Sequence, residues 1–244
     1  MVAELDATDR QPTVAPSAFS AQPADVPAHD TAPEWLPDGA DELFRSIYTR
    51  AGVGHSETLA VSSAIAGEGK TTVAVGLATT LAQDYPDRRV LLVETDFARP
   101  VLAEDFGVRV TPGLADCLLE DLSPQLAVCP TLLDNLFLLP AGQTATNGGR
   151  LLRSPRMPAV LAHLRESYDI IIVDVPAILV NSDALPLIDI TDGALLVVRA
   201  GVTPGPVVHK ALAHLDDTRG LLRGVVLNGT QSAMPSWFRR LSGL

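Results

Sequence analysis

The stretch SSAIAGEGKTT, residues 62–72, follows a short apolar segment and precedes a run with apolar residues at helical spacing. A strand, a glycine-rich turn and a helix in that order form the phosphate-binding loop, whose general pattern is G-x-x-x-x-G-K-[ST]. Gly69, Lys70 and Thr71 match the end of this pattern, but Ala64 occupies the position of its first glycine. The stretch therefore predicts a nucleotide site with one departure from the motif.

Each part of the loop has a physical role in holding phosphate. Backbone N–H groups in the turn Gly67, Glu68 and Gly69 would point at phosphate oxygens, and the positive end of the next helix favours the same anion. Lys70 can reach the β- and γ-phosphates, and the Thr71 hydroxyl is suited to Mg²⁺. The predicted nucleotide-binding residues thus run from Gly67 to Thr72.

Strand and helix patterns alternate along most of the chain. Continuous apolar runs predict strands at 58–64, 89–96, 136–142, 169–175, 193–200 and 223–229. Helical spacing predicts helices at 41–51, 70–85, 154–168 and 203–217, with Ser154 and Thr203 as N-caps of the last two and Pro155 opening the third. This alternation is typical of an α/β fold with a doubly wound, mostly parallel sheet.

Polar residues follow several of these strands. Glu94 and Asp96 end the second strand, Asp174 ends the fourth (169–175), and Asn228 ends the last. Because ligands bind at the carboxyl ends of the strands in such sheets, we expect these side chains to share one rim with the glycine-rich loop. Carboxylate and hydroxyl oxygens are suitable ligands for Mg²⁺, so the acids predict a metal site there.

Composition limits the function classes. The chain has 244 residues and a formal net charge of −11, which argues against a nucleic-acid-binding protein. Residues 1–37 are rich in Pro, Ala and Asp without apolar periodicity, so we expect a disordered tail. The expected domain organisation is this tail, one nucleotide-binding domain over residues 38–230, and a short C-terminal tail over residues 231–244.

From Asp41 to about Gly229 the chain resembles the bacterial tyrosine kinase family of capsule and exopolysaccharide biosynthesis. That family is a branch of the MinD/ParA class of P-loop NTPases, whose phosphate loop commonly lacks the first glycine, so Ala64 is no objection. The resemblance is carried, in the family's order, by ELFR, SSAIAGEGKTT, VLLVETDFARP, GLADCLLE, LFLLPAG, LLRSPRM, YDIIIVDVPAILVNSDA, GALLVVRAGVT and GVVLNG.

The resemblance implies ATP and Mg²⁺ as cofactors and assigns roles to the rim residues. Asp174 matches the Walker B acid, Asp96 belongs to the family's additional acidic motif, and Asn228 matches a contact to adenine. The implied catalytic residues are Lys70, Asp96 and Asp174, and the implied metal ligands are Thr71, Glu94, Asp96 and Asp174. Asp96 is the candidate to accept or orient the proton of a tyrosine hydroxyl.

Three departures from the family keep a second function open. Glu94 stands where the family has Asp, Ala98 stands where it has Arg, and no tyrosine follows Tyr168 although the family's kinases usually end in a tyrosine cluster. The first hypothesis is therefore a kinase that phosphorylates another protein or a tyrosine outside the usual tail. The second is a slow ATPase that acts as a nucleotide-dependent switch or adaptor and docks on a membrane partner. A DNA- or septum-positioning ATPase is disfavoured because position 65, where that class has its diagnostic lysine, is Ile65.

Partners are also implied by the resemblance alone. We expect a membrane polysaccharide co-polymerase as partner, a cytoplasmic location at the inner face of the membrane, and only peripheral membrane contact. Glu42 and Arg45 match an E-x-x-R-x-x-R helix that the family uses in ring assembly, although Tyr48 stands at its last position. The helix at 41–51 is accordingly the expected surface for a homo-oligomer.

Overall fold

The sheet that organises this protein has seven strands. In the computed structural model, which describes residues 40–54, 56–145, 148–218 and 221–229, its order is β3-β4-β2-β5-β1-β6-β7. The strands are β1 Glu57–Ser63, β2 Val90–Glu94, β3 Cys129–Pro130, β4 Leu136–Leu139, β5 Ile170–Asp174, β6 Gly193–Arg199 and β7 Leu222–Asn228. All neighbours pair in parallel except β3 and β4, which are antiparallel. The predicted mostly parallel sheet is confirmed.

Helices connect the strands and cover both faces of the sheet. They are α1 Asp41–Ala51, α2 Lys70–Asp84, α3 Leu102–Asp105, α4 Leu114–Leu119, α5 Pro124–Ala127, α6 Gly148–Leu152, α7 Met157–Arg165, α8 Leu185–Ile188 and α9 Gly205–Asp216, with a 3-10 turn at Ser182–Ala184. The short helices α3 to α6 and α8 have too few residues for a periodic pattern, so the sequence did not predict them. No helix within the described ranges is both long and apolar enough to cross a membrane.

The central strand β5 has no solvent-facing side, since every one of its residues is buried. Alternate side chains on a strand point to opposite faces of the sheet. Ile170 and Ile172 therefore pack with α1 and α2, whereas Ile171 and Val173 pack with α4, α7 and α9. Two apolar layers on either side of the sheet hold the carboxyl ends of the strands in fixed positions, and the polar residues that follow those ends form one rim.

The start of α7 differs from the sequence prediction. It begins at Met157, so Ser154 is not its N-cap: the Ser154 hydroxyl accepts a hydrogen bond from Arg156 N–H in the preceding turn. A helix starting at Pro155 would need an N–H at Pro158, which proline lacks. In the observed helix Pro158 lies in the first turn, where no N–H partner is required.

The start of α9 also differs. It begins at Gly205 with Pro204 in the N-cap position, and Pro206 lies in its first turn. The predicted capping role of Thr203 is therefore wrong, and its hydroxyl donates instead to the carboxylate of Glu68. The predicted tails at 1–37 and 231–244 lie outside the described residues, and the domain limits of 38 and 230 remain predictions.

Candidate functional site

The phosphate loop lies between β1 and α2, and two of its glycines have left-handed backbone conformations. Gly67 has φ +85° and Gly69 has φ +90°, conformations that side chains with a Cβ rarely adopt. A Cβ on Gly69 would also lie 2.1 Å from Asn228 Nδ2, so a larger residue would have to displace the Asn228 amide. Ala64, by contrast, is fully buried in the core and its C=O accepts Leu179 N–H. The position at which the motif has its first glycine therefore lies in the packed base of the loop.

Lys70, Thr71, Asp96 and Asp174 meet directly behind this loop. Lys70 Nζ lies 3.3 Å from Asp96 Oδ2 and 3.3 Å from Asp174 Oδ1, and the Thr71 hydroxyl donates to Asp174 Oδ2 at 2.8 Å. Lys70 is positioned by the first turn of α2, Asp174 by the end of β5 and Asp96 by the loop after β2. The structure thus brings together the three predicted catalytic residues and one hydroxyl.

The environment of Asp174 favours its protonated form. The carboxyl group is buried, and burial raises its pKa from 3.8 to about 6, although Lys70 and Thr71 act in the opposite direction. Asp96 contributes to this rise in the pKa of Asp174, because a second carboxylate nearby disfavours the charge. A strongly perturbed acid beside a lysine at a strand end is a physical signature of a functional site.

Glu94, one of the predicted metal ligands, has its carboxylate hydrogen-bonded to backbone N–H groups. Its Oε1 accepts hydrogen bonds from Val101 N–H at 2.6 Å and Leu102 N–H at 2.9 Å, and its Oε2 accepts one from Ala141 N–H at 3.1 Å. The carboxylate is buried and ties the loop after β2 to the loop after β4. The Glu94 side chain thereby reaches two separate backbone segments.

The predicted metal ligands do not form a cluster of three acids in the described residues. Among the described residues no group of three or more His, Cys, Asp or Glu side chains is placed to hold a metal ion. Of the four predicted metal ligands, Thr71, Asp96 and Asp174 lie together, whereas the carboxylate of Glu94 is hydrogen-bonded to backbone N–H groups; the metal assignment stays a prediction. One or two carboxylates with phosphate oxygens and water are enough for Mg²⁺.

Asn228 and Glu68 join the phosphate loop to the ends of β7 and β6. Asn228 Nδ2 donates to the Glu68 C=O at 2.9 Å, so its amide is used to fix the loop, and the implied adenine contact stays a prediction. The Glu68 side chain is buried and accepts hydrogen bonds from Ile65 N–H, Arg199 N–H and the Thr203 hydroxyl. The sequence did not predict this side-chain role because its partners are up to 135 residues away.

The remaining predicted residues lie near the rim or on α1. Thr72 lines a groove of about 310 Å³ between α1 and β7. Ala98 and Arg99 are exposed in the loop after Asp96. On α1, Arg45 forms two hydrogen bonds with Asp84, at 2.7 and 2.6 Å, so this member of the expected assembly motif makes an ion pair within the chain.

Sequence comparisons with known proteins identify relatives of this chain. A family model described as an AAA domain matches residues 56–190. The tyrosine-protein kinase YwqD of Bacillus subtilis is 33% identical over 192 residues, covering 77% of this chain and 80% of that protein. The succinoglycan biosynthesis transport protein ExoP of Rhizobium meliloti is 30% identical over 178 residues, covering 72% of this chain but only 22% of ExoP.

Solved structures extend the agreement to the fold. The kinase domain of the Escherichia coli tyrosine kinase ETK superposes with a TM-score of 0.73 at 26% identity, covering 84% of this chain and 83% of that one. The P-loop NTPase fold predicted from the sequence is therefore confirmed. With a matched domain over more than half of the chain and a 33% identical kinase over most of its length, the chain belongs to the bacterial tyrosine-protein kinase family.

Proposed function

We propose that this protein binds ATP at the loop after β1 and transfers the γ-phosphoryl group to a tyrosine of a protein in exopolysaccharide or capsule biosynthesis. The observation that carries the proposal is the cluster of Lys70, Asp96 and Asp174, in which Nζ lies 3.3 Å from a carboxylate oxygen of each acid. Membership in a kinase family implies nucleotide use, and ExoP links the domain to a polysaccharide pathway in that organism.

The nucleotide is held mainly by the backbone of the loop. Its phosphates would accept hydrogen bonds from N–H groups of the turn Gly67, Glu68 and Gly69 and from the first turn of α2, which includes Thr72. Lys70 would exchange its contacts with the two carboxylates for contacts with the phosphates. In addition we propose that Asn228, at the end of β7, contacts the adenine.

The residues also fit a bound Mg²⁺. Thr71 and Asp174 supply a hydroxyl and a carboxylate that already share a hydrogen bond of 2.8 Å, and Asp96 is the second carboxylate within reach. This all-oxygen set with two acids suits a magnesium ion that keeps phosphate and water ligands. When bound, the ion neutralises charge on the phosphate oxygens.

The chain's own residues supply the positioning and the proton acceptor for transfer. Asp96 is largely buried but keeps 8% of its surface accessible, and a tyrosine hydroxyl would approach the carboxylate from that side. The Asp96 carboxylate would accept the hydroxyl proton as the tyrosine oxygen attacks the γ-phosphorus, and ADP would leave. Asp174 is mainly ionised above its pKa of about 6, so its charge is available to hold the metal at neutral pH.

A second function is favoured by the hydrogen bonds of Glu94. Three backbone N–H groups donate to the carboxylate of Glu94. Of the two acids in the stretch ETD, residues 94–96, Asp96 is therefore the one that faces Lys70. With fewer acids to hold the metal at the phosphates, ATP turnover would be slow. In this alternative the protein is a nucleotide-dependent switch that docks on a membrane co-polymerase.

Partners and location are proposed from the relatives. ExoP carries the matched segment in a chain several times longer, so we propose that this protein acts on the cytoplasmic segment of a co-polymerase at the inner face of the membrane. We also propose that the helix at 41–51 contributes to a homo-oligomer. Glu42 and Arg50 are exposed there, whereas Arg45 already pairs with Asp84.

The deciding experiment uses the two lysines of the chain, Lys70 and Lys210. Purified protein is incubated with Mg-ATP, with and without the cytoplasmic segment of a co-encoded co-polymerase, and nucleotide binding, phosphate release and phosphotyrosine are measured. Lys70→Met should abolish all three signals, whereas Lys210→Met, on the exposed side of α9, should change none of them. Binding and phosphate release without phosphotyrosine would select the switch, and absence of nucleotide binding would overturn both functions.

A further inference from the structure

Glu68 is a buried carboxylate that points away from the phosphate cradle. Its side chain accepts hydrogen bonds from Ile65 N–H at 2.7 Å within the loop, from Arg199 N–H at 3.2 Å at the end of β6, and from the hydroxyl of Thr203 just before α9. Only 2% of the residue is exposed. A buried carboxylate needs such donors, because leaving it without them costs free energy.

These contacts close a ring of hydrogen bonds between three elements. Asn228 Nδ2, at the end of β7, donates to the Glu68 C=O, and the Asn228 C=O accepts Ala200 N–H from the turn after β6. Thr203 N–H in turn donates to the Arg199 C=O. The crest of the phosphate loop is therefore hydrogen-bonded to the ends of β6 and β7 and to the turn at 199–203.

We propose that Glu68 and Thr203 are positioning residues for the nucleotide, acting through the backbone of the phosphate loop. The inference rests on the proposed function, since it concerns the same ATP site. Neither side chain contacts the phosphates: the Thr203 hydroxyl fixes the Glu68 carboxylate, and Glu68 sets the direction of the N–H groups at Gly67 and Gly69. The turn at 199–203 thereby becomes part of the nucleotide site.

The same ring of hydrogen bonds predicts that a bound nucleotide in turn stabilises the contacts of Glu68. A ligand that holds the loop must also stabilise the contacts that hold it from behind, since coupling between two sites is reciprocal. Exchange of the amide hydrogens of Ile65 and Arg199, both donors to Glu68, should therefore slow when ATP binds. The amide of Thr58, which donates to Asp192 at the opposite end of β1, should not change.

The test compares two matched substitutions of buried or half-buried threonines. Thr203→Val removes the donor to Glu68, and Thr191→Val removes a hydroxyl that donates to main-chain oxygens before β6, at the opposite end of that strand. We expect the Thr203→Val protein to bind ATP about tenfold more weakly, with a raised KM for ATP and a smaller change in kcat. Thr191→Val should lower the melting temperature without changing ATP affinity.

Rescue and folding controls complete the experiment. Thr203→Ser retains the hydroxyl and should restore wild-type ATP affinity. If Thr203→Val fails to fold, hydrogen exchange on the unmodified protein with and without ATP gives the answer independently. Wild-type ATP affinity in a folded Thr203→Val protein, or unchanged exchange at Ile65 and Arg199 on ATP binding, would overturn the inference. Failure of the unmodified protein to bind ATP would instead overturn the proposed function.

Discussion

At the scale of single residues, Asp174 illustrates how function and stability oppose each other. Its carboxyl is buried at the end of β5, and burial raises its pKa to about 6. Between pH 3.8 and about 6 the folded protein keeps a proton that the unfolded chain loses, so the free energy of unfolding falls as pH rises through this window. Above about pH 6, the folded state carries the full free-energy cost of burying the ionised carboxylate.

Asp174→Asn should therefore stabilise the nucleotide-free protein. We expect the free energy of unfolding to increase by about 1–3 kcal/mol at pH 7.5, because the neutral amide avoids the cost of the buried charge. The gain should shrink as pH falls below about 6 and vanish near pH 4, while ATP turnover is lost at every pH. Denaturant unfolding across pH 4–8 measures this, with the half-exposed Asp192→Asn as a control that gives no gain.

Glu94 gives a second prediction at this scale. Glu94→Asp restores the family's residue, but the shorter side chain cannot reach both Val101 and Ala141, so one or two buried N–H groups lose their acceptor. We expect the free energy of unfolding to fall by about 1–3 kcal/mol, with an unchanged Mg²⁺ requirement for ATP binding. The exposed Glu104→Asp is the control. An altered Mg²⁺ requirement with full stability would instead support the predicted metal-ligand role of Glu94.

The sequence predicted the residues whose role depends on local position. Lys70, Thr71, Asp96 and Asp174 follow strands or begin a helix, so a parallel sheet was sufficient to bring them to one rim. It did not predict what Glu68 and Glu94 bind. Their partners are backbone groups of segments distant in sequence, and an acid beside a phosphate loop or in an acidic motif has no local pattern that separates a metal ligand from a buried structural acceptor.

At the scale of elements, the contact between α1 and α2 depends on one small residue. The Phe44 ring of α1 lies where a Cβ on Gly76 would be, with its nearest atom at 2.2 Å from that position. Arg45 and Tyr48 fix the other end of the contact by hydrogen bonds to Asp84, the last residue of α2. The amphipathic pattern of α1 predicted the helix, but the apolar sequence of α2 gave no indication that Gly76 is the contact point.

Gly76→Ala tests whether packing or helix propensity decides the stability of this pair. Propensity alone would favour alanine by about 1 kcal/mol. The overlap with Phe44 should outweigh it, and we expect a net loss of about 1–3 kcal/mol in the free energy of unfolding. Gly205→Ala, in the first turn of α9, has no atom within 4 Å of the new Cβ and should not destabilise the protein. Thermal and denaturant unfolding of both variants would separate the two effects.

At the scale of the whole molecule, the tyrosines lie at the end of the domain opposite the phosphate site, beyond the amino-terminal end of β5 and the carboxyl-terminal end of α2. Lys70 opens α2, whereas Tyr48 and Tyr85 lie at its far end, about 20 Å away for a helix of 15 residues. Tyr168 lies before β5, at the end opposite Asp174, and packs against Phe137. All three of the chain's tyrosines are therefore separated from their own catalytic cluster by the thickness of the domain.

This arrangement predicts that the folded domain does not phosphorylate its own tyrosines. Tyr48 and Tyr168 are buried, and Tyr48 is hydrogen-bonded to Asp84, which together with burial raises its pKa to about 12. After incubation with Mg-ATP and a co-polymerase segment, mass spectrometry should find phosphotyrosine on the partner and none at these three positions. Tyr85→Phe, which alters the one half-buried tyrosine, should leave partner phosphorylation at the wild-type rate. Phosphate on Tyr85, with reduced partner labelling in this variant, would show that one copy of the chain presents its α2 end to the active site of another.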